Sequence, residues 1–386
     1  MFKLRSPFRS QQGANGRPSL PRRGRSAMAW AAATWLGLQL ALVAAVDQWL
    51  PELRDPEFGR KLALLREAQS EFADRPLVLL LGSSRSHFGV SPTAFEAATG
   101  PGERRPTLFN FGIMGGGPIT QLVMFRQLLA EGVRPEGVLI EINPLMLHQT
   151  REFTEENWFA ADRLEFRGLL AFRRFVEHPA RMYWSWLAAR MSSWHAHRLL
   201  FMERVAPSWV QGGATQDRRT PPDRRGWLRH EPETITSAER RTRLAMQFKA
   251  YAPSLEAFSI SEAPDRALRE LLGLCRQQRI HVALLAMPEA SEMRRAFDPQ
   301  SQRTLQSYLS DLSRAYGAPL YDARVWASDD EFVDGEHLLP AGAVRFSQRL
   351  LHGTEEFMAE VGQRPANSLR SSPELAERPG AGKTRH

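Results

Sequence analysis

Four short segments of the chain carry side chains that could do chemistry together. The first is Leu80-Leu81-Gly82-Ser83-Ser84-Arg85-Ser86-His87, which follows the most hydrophobic run of the body. A serine at the C-terminal tip of a buried parallel strand sits where open α/β sheets place their ligand crevice. Gly82 permits a tight turn, and a helix after it would aim backbone N–H groups at the site. The plain alternative is a serine that only caps that helix. The second segment is Phe332-Val333-Asp334-Gly335-Glu336-His337. Asp and His three apart on a turn can lie side by side. The carboxylate then holds one imidazole nitrogen while the other faces a nucleophile. The plain alternative is a polar loop before a final helix.

The third segment, Asn110-Phe111-Gly112-Ile113-Met114-Gly115-Gly116-Gly117-Pro118, is a Gly-rich turn that opens a helix. Its N–H groups could receive an anion. It has neither the Lys-Ser/Thr of a Walker A loop nor Gly-x-Gly-x-x-Gly. The fourth is Asn143 in Glu141-Ile142-Asn143-Pro144. Its side-chain amide could donate to an oxyanion, or it could merely form an Asn-Pro turn.

Chemistry at one place requires elements that bring these segments together. Apolar runs at 77–81, 107–111, 137–142, 281–286 and 318–321 read as strands. Helical periodicity at 57–72, 118–131, 267–278, 301–316 and 340–361 alternates with them. Alternation of this kind predicts a three-layer α/β/α sandwich around a mostly parallel sheet. All four segments then fall at the C-terminal ends of strands, on one edge of the sheet. The pattern is interrupted at 151–262, an Arg- and aromatic-rich stretch that reads as a helical insertion. Its middle, 211–230, holds Gly-Gly, Pro-Pro and the Arg pairs 218–219 and 224–225, and predicts a mobile loop with solvated charge. The two parts of the α/β domain are thus 56–150 and 263–361, and 362–386 has the composition of a disordered tail.

This order of motifs resembles the SGNH/GDSL hydrolase superfamily. Gly82-Ser83-Ser84 matches its Gly-Asp-Ser block with Ser in place of Asp. Asn110 and Gly115 match its second block, Asn143 its third, and Asp334 with His337 its last. Pro144 replaces the usual Asp of the third block. The resemblance covers about 75–150 and 265–360. It implies Ser84 as nucleophile, His337 as base and Asp334 as its orienting acid. It also implies an oxyanion hole from the N–H groups of Ser84 and Gly115 and the Asn143 amide. The Gly-Ser-Ser variant, the apolar N-terminal segment and the insertion look closer to the membrane-anchored envelope acyl-transfer branch, which includes the teichoic-acid D-alanyl transfer and alginate O-acetylation proteins. The function so implied is an esterase or O-acyltransferase acting on an envelope glycan or other acyl ester, with a membrane acyl-donor protein as a further candidate partner. A catalytically silent accessory protein of polysaccharide modification or export is the other reading.

The N-terminus sets the expected compartment. The first 26 residues form a basic tail with seven Lys and Arg and no acid, and 27–46 is uncharged and apolar. About 20 such residues span a hydrocarbon core of about 30 Å. Trp30 and Trp49 stand near its ends, as interfacial anchors do. The charge asymmetry orients the tail to the cytoplasm and the body to the extracytoplasmic (periplasmic) side of the inner membrane. The span is long for a signal-peptide core, and 47–51 lacks a small-residue cleavage site.

Composition excludes other classes. The chain has 386 residues, one cysteine (Cys275) and a formal charge of +8. Lone Cys275 excludes an intrachain disulfide and a Cys-rich metal site. The histidines, among them His87, His148 and His281, lack metal-ligand spacing and read as structural, so no metal or other cofactor is expected. Much of the positive excess lies in the basic tail, so nucleic acid is not expected as a partner. The aromatic stripe Tyr183–Trp194 reads first as helix core, and otherwise as a surface beside the bilayer or a glycan platform.

Overall fold

A computed structural model describes residues 22–48, 54–98, 105–150, 154–158, 161–191, 221–256 and 258–363, with isolated positions between 192 and 206. Trp49, Arg218 and Arg219, and nearly all of the expected C-terminal tail, lie outside them.

Five strands form one sheet: β1 (Leu77–Gly82), β2 (Thr107–Gly112), β3 (Gly137–Glu141), β4 (His281–Ala286) and β5 (Leu320–Asp322). Their order is β2-β1-β3-β4-β5 and every pairing is parallel. β1 is apolar throughout because both of its faces are covered. Alternate side chains serve opposite layers: Leu77, Leu79 and Leu81 join one core, and Val78 and Leu80 the other.

The helices used below are α1 (Arg22–Gln48), α2 (Pro56–Glu71), α3 (Ser84–Gly89), α4 (Pro118–Ala130), α5 (Pro179–Met191), α6 (Ser237–Glu256), α7 (Glu262–Gln277), α8 (Pro299–Tyr316), α9 (Pro340–Gly353) and α10 (Glu355–Gly362), with further short helices between them. α2, α4, α7 and α8 cover one face through residues such as Leu65, Leu128, Leu268 and Leu309. α9 and α10 cover the other through Phe346, Leu350 and Phe357. The fold is therefore α/β with helices on both sides of a parallel sheet. Between β3 and α7 the described residues hold helices and no strand, and Phe172, Phe175 and Met182 extend the first core.

α1 contains Ser26–Val46, 21 residues with mean hydropathy 1.7, long and apolar enough to cross a membrane.

Two expectations change. The final helix is two helices, α9 and α10, because the chain breaks at Thr354. There the Thr354 hydroxyl bonds back to Leu350 O at 2.8 Å, and Gly353 lies under the Trp326 ring, where a Cβ would meet it at 2.2 Å. The described part of the expected mobile loop, 221–230, is packed along the open side of β2. Asn110 N–H donates to Arg225 O (2.9 Å), Leu228 N–H to His87 O (3.2 Å) and Trp227 Nε1–H to Phe88 O (2.7 Å). Arg225 pairs with Glu96 at 2.5 Å and lies over the Phe72 ring, so one charge of the expected solvated pair is half-buried.

Gly226 makes this seating possible. Its φ is +85°, and a Cβ would stand 2.2 Å from Asn110 O. Gly226→Ala should cost about 1–3 kcal/mol. It should also speed hydrogen exchange at the Asn110 amide relative to the Leu80 amide of β1, measured on the folded protein.

Candidate active site

From β1 the chain goes to β2 on one side, then crosses back past β1 to β3 on the other, so the β1 tip borders the topological switch point of the sheet. Register keeps the neighbouring tips level, with Gly82 opposite Gly112 and Leu81 opposite Ile140. Ser84 is the first residue of α3 and Ser83 its N-cap. The two serines do different things. Ser83 is buried, accepts from Arg85 N–H (3.2 Å) and donates to Glu141 Oε1 (2.6 Å). Ser84 is half-buried, and its Oγ lies 2.8 Å from His337 Nε2.

His337 Nδ1 in turn lies 2.8 Å from Asp334 Oδ2. The other Asp334 oxygen accepts the N–H groups of Glu336 and His337, each at 2.8 Å. The Asp-Gly turn thus folds the carboxylate back onto its own loop and fixes the ring. Burial opposes charge on both groups, but their mutual attraction prevails. The Asp334 carboxyl is held well below the usual carboxylate range, and His337 is raised from 6.5 to about 9. With Asp334 accepting at Nδ1, the neutral imidazole keeps Nε2 free to accept from a hydroxyl.

The residues expected to bind an oxyanion lie at the same sheet edge. Among the described residues, neither the Ser84 N–H nor the Gly115 N–H has a hydrogen-bond partner. Gly115 has φ +67°, in a turn that folds back over β1. Ile113 N–H bonds to Gly82 O (2.9 Å), and a Cβ on Gly116 would meet that oxygen at 2.8 Å. Asn143 Oδ1 accepts from Leu145 N–H (3.1 Å), which leaves its NH₂ group to donate. Asn110 does other work: its amide donates to Ser86 O and Val90 O, each at 2.7 Å, and ties α3 to β2.

Several residues that position the site are not visible as motifs. Glu141 at the β3 tip is buried and accepts from Ser83 N–H (2.8 Å), Ser83 Oγ, Ser86 N–H (3.2 Å) and Ser86 Oγ. Arg85 is fully buried and donates to Met287 O and Pro288 O (both 3.0 Å) and to Glu289 Oε1 (3.2 Å). It also lies 3.9 Å from Glu336, next to His337. Lys61 is buried under the Gly-rich turn and donates to Asn110 O (3.0 Å) and Gly112 O (2.7 Å). Burial pushes its pKa down to about 7, against Glu57 and Asp223. A neutral amine still has two hydrogens for these two carbonyls.

The Gly-rich turn does receive an anion, but it is the protein's own. Glu155 accepts from Gly117, Ile119 and Thr120 N–H at 3.0, 3.0 and 2.8 Å and fills the N-terminus of α4. The expectation that this helix start could receive an outside anion is corrected accordingly.

The histidines divide. His87 is buried with Nδ1 3.0 Å from Gly112 O, and burial with the Lys61 charge pushes its pKa well down. His148 accepts from Ser259 N–H (3.0 Å), and His281 lies 3.8 Å from Glu360. His230 stands in no motif, yet the fold brings it to the site. Its ring lies 5.9 Å from that of His337 and 4.5 Å from Phe88, and Phe88 is 6.0 Å from His337. Burial and the His337 charge push His230 down to about 4, so it is neutral beside the charged pair. Among the described residues no group of His, Cys, Asp and Glu is arranged to hold a metal ion.

No family model matches the chain, and no curated protein matches it. Among solved structures, the chain is similar to a putative acylhydrolase from Bacteroides fragilis, with 13% identity, 77% of this chain and 98% of that chain covered, and a TM-score of 0.34. At this level nothing about activity passes from that protein to this chain.

The Glu141 arrangement is directly testable. Glu141→Gln keeps the shape but turns an NH₂ group toward donors that need an acceptor. Leaving such buried groups unpaired should cost about 1–3 kcal/mol. A urea melt of the variant coinciding with that of the unmodified protein would contradict the role given to this carboxylate.

Proposed function

We propose that the protein is a membrane-anchored, extracytoplasmic serine esterase or O-acyltransferase of the SGNH/GDSL type, acting on an envelope carbohydrate. The observation that carries this reading is the continuous chain Ser84 Oγ–His337–Asp334, with two 2.8 Å contacts, beside the switch point of a parallel sheet. The uncharged segment and basic tail before the body support an anchor with the tail in the cytoplasm.

The reaction follows from these groups. His337 Nε2 takes the Ser84 proton as Oγ attacks the acyl carbonyl. Asp334 holds the imidazolium that forms. The tetrahedral oxyanion is received by the Ser84 and Gly115 N–H groups and the Asn143 amide, where one such donor is worth about 3 kcal/mol. His337 returns the proton to the leaving alcohol, and the acyl group remains on Ser84. Water as the second nucleophile gives an esterase, and a sugar hydroxyl gives a transferase. His337 activates either one in the same way.

Ser84→Ala should lower hydrolysis of a short-chain acyl ester by about 10³-fold or more while leaving the melting temperature nearly unchanged. His337→Ala should lose a comparable amount, and the double variant little more. A serine-directed covalent probe should label the Ser84 peptide, read by mass spectrometry. A folded protein that neither hydrolyses the ester nor takes the probe would favour the silent accessory reading instead.

The pH profile tests the same pair. A base raised to about 9 is mostly protonated at neutrality, so kcat/KM should climb with pH from 6.5 through about 9. Asp334→Asn removes the charge that raises His337, so the limb should move to lower pH while the rate falls. The folded His337 pKa lies above the unfolded value. Its contribution to stability is therefore full below pH 6.5 and lost as pH rises through about 9.

A further inference from the structure

The aromatic stripe resolves into two faces. In α5, Met182 is buried, and Tyr183 and Trp186 pack against the first core, with Trp186 Nε1–H on Leu164 O at 3.0 Å. Trp184, Leu187 and Met191 fall at i, i+3 and i+7 on the opposite face and are exposed, at 70%, 38% and 58%. Trp194, beyond the end of α5, is exposed at 51%. A soluble domain has no reason to assemble such a face toward water.

What covers it follows from α1. The C-terminal half of α1 packs against α5, and Gln39 and Val46 are buried while Trp30, Leu36 and Leu38 are exposed. Gln39 is a polar residue inside the apolar stretch Ser26–Val46, and its Oε1 accepts the Trp194 N–H at 3.2 Å. At 1.5 Å per residue Gln39 stands about 20 Å along a span of about 30 Å. An amide at that depth needs a protein partner, because lipid offers none. The insertion therefore reaches down the span to the level of Gln39. α5 thus packs beside α1, whose Trp30, Leu36 and Leu38 are exposed, and Trp is a residue that the interface favours.

We propose that Trp184, Leu187 and Met191 lie in the headgroup–acyl boundary of the leaflet into which the C-terminal end of α1 runs. Their partner is bilayer lipid, and α5 is a second membrane contact beside the span. This rests on the reading of α1 as a membrane anchor. The insertion then seats the α/β body at the lipid surface at a fixed orientation rather than on a free tether.

The experiment uses the full chain in vesicles of phosphatidylethanolamine and phosphatidylglycerol. An environment-sensitive fluorophore is placed at Leu187→Cys, at Leu38→Cys in α1, or at Gln348→Cys on α9. Buried Cys275 stays unlabelled in the folded protein. Nitroxide lipids spin-labelled near the headgroup should quench the label at 187 several-fold, those labelled at the bilayer centre should quench the label at 38, and neither should quench 348. Quenching at 38 with none at 187 would overturn the proposal while leaving the anchor intact. No quenching at either position would overturn the anchor and the proposal with it. Deepest quenching of 187 by centre-labelled lipid would make α5 a buried span and reject the interfacial placement. A 187 label shielded from water but untouched by lipid, and exposed on dilution of the protein, would assign the face to a second copy and reject lipid.

Discussion

The Glu141 carboxylate beneath the Ser84 turn is the interaction on which the site depends. A buried charge is costly unless its hydrogen-bonding capacity is filled. Here Ser83 and Ser86 fill it with two backbone and two hydroxyl donors. This couples the tips of β1 and β3, and it explains Gly82, where a Cβ would stand 2.3 Å from Glu141 Oε2. Arg85 pins the same turn to the loop after β4. Its neighbours are thus spent on structure, while Ser84 keeps its hydroxyl for His337.

The Asp334–His337 loop is held in a comparable way by α6. Gln247 of α6 donates to Glu336 (2.9 Å) and accepts from Gly335 N–H (2.7 Å), and Tyr251 donates to Glu336 (2.5 Å). Glu155 caps α4, and His230 lies beside His337. Each comes from the stretch between β3 and α7. That stretch supplies parts of the site's frame, so changes in it are expected to reach the chemistry as well as the surface.

Strands and motif residues are legible in the sequence because each has a local signature. The run at 77–81 is apolar without alternation, which signals burial on both faces. Gly82-Ser83-Ser84 and Asp334-x-x-His337 are short and ordered along the chain. What is not legible depends on distant partners. Lys61 looks like an ordinary charge on α2 until the β2 carbonyls stand over it. Glu155 looks like a solvated acid until α4 points at it. Glu141 carries no motif of its own, although it is the acceptor for the Ser83 hydroxyl. His230 sits in a stretch rich in Pro, Gly and Arg, and only its packing beside Phe88 brings it to the site. The helix break at Thr354 is masked in the sequence because the apolar period runs on across Gly353-Thr354, although Gly, Thr and two Glu stand there.

The covered side of β2 has a consequence for assembly. A border strand offers its backbone to any chain that can pair with it. On β2 that place is taken: Arg225 O receives the Asn110 N–H, and Gly226 lies against Asn110 O. The opposite border is β5, only three residues long. Neither border leaves a run of backbone long enough to template a strand from another molecule. Copies crowded on one surface are thereby kept from zipping sheet to sheet into fibres, and any association between them must proceed through side chains.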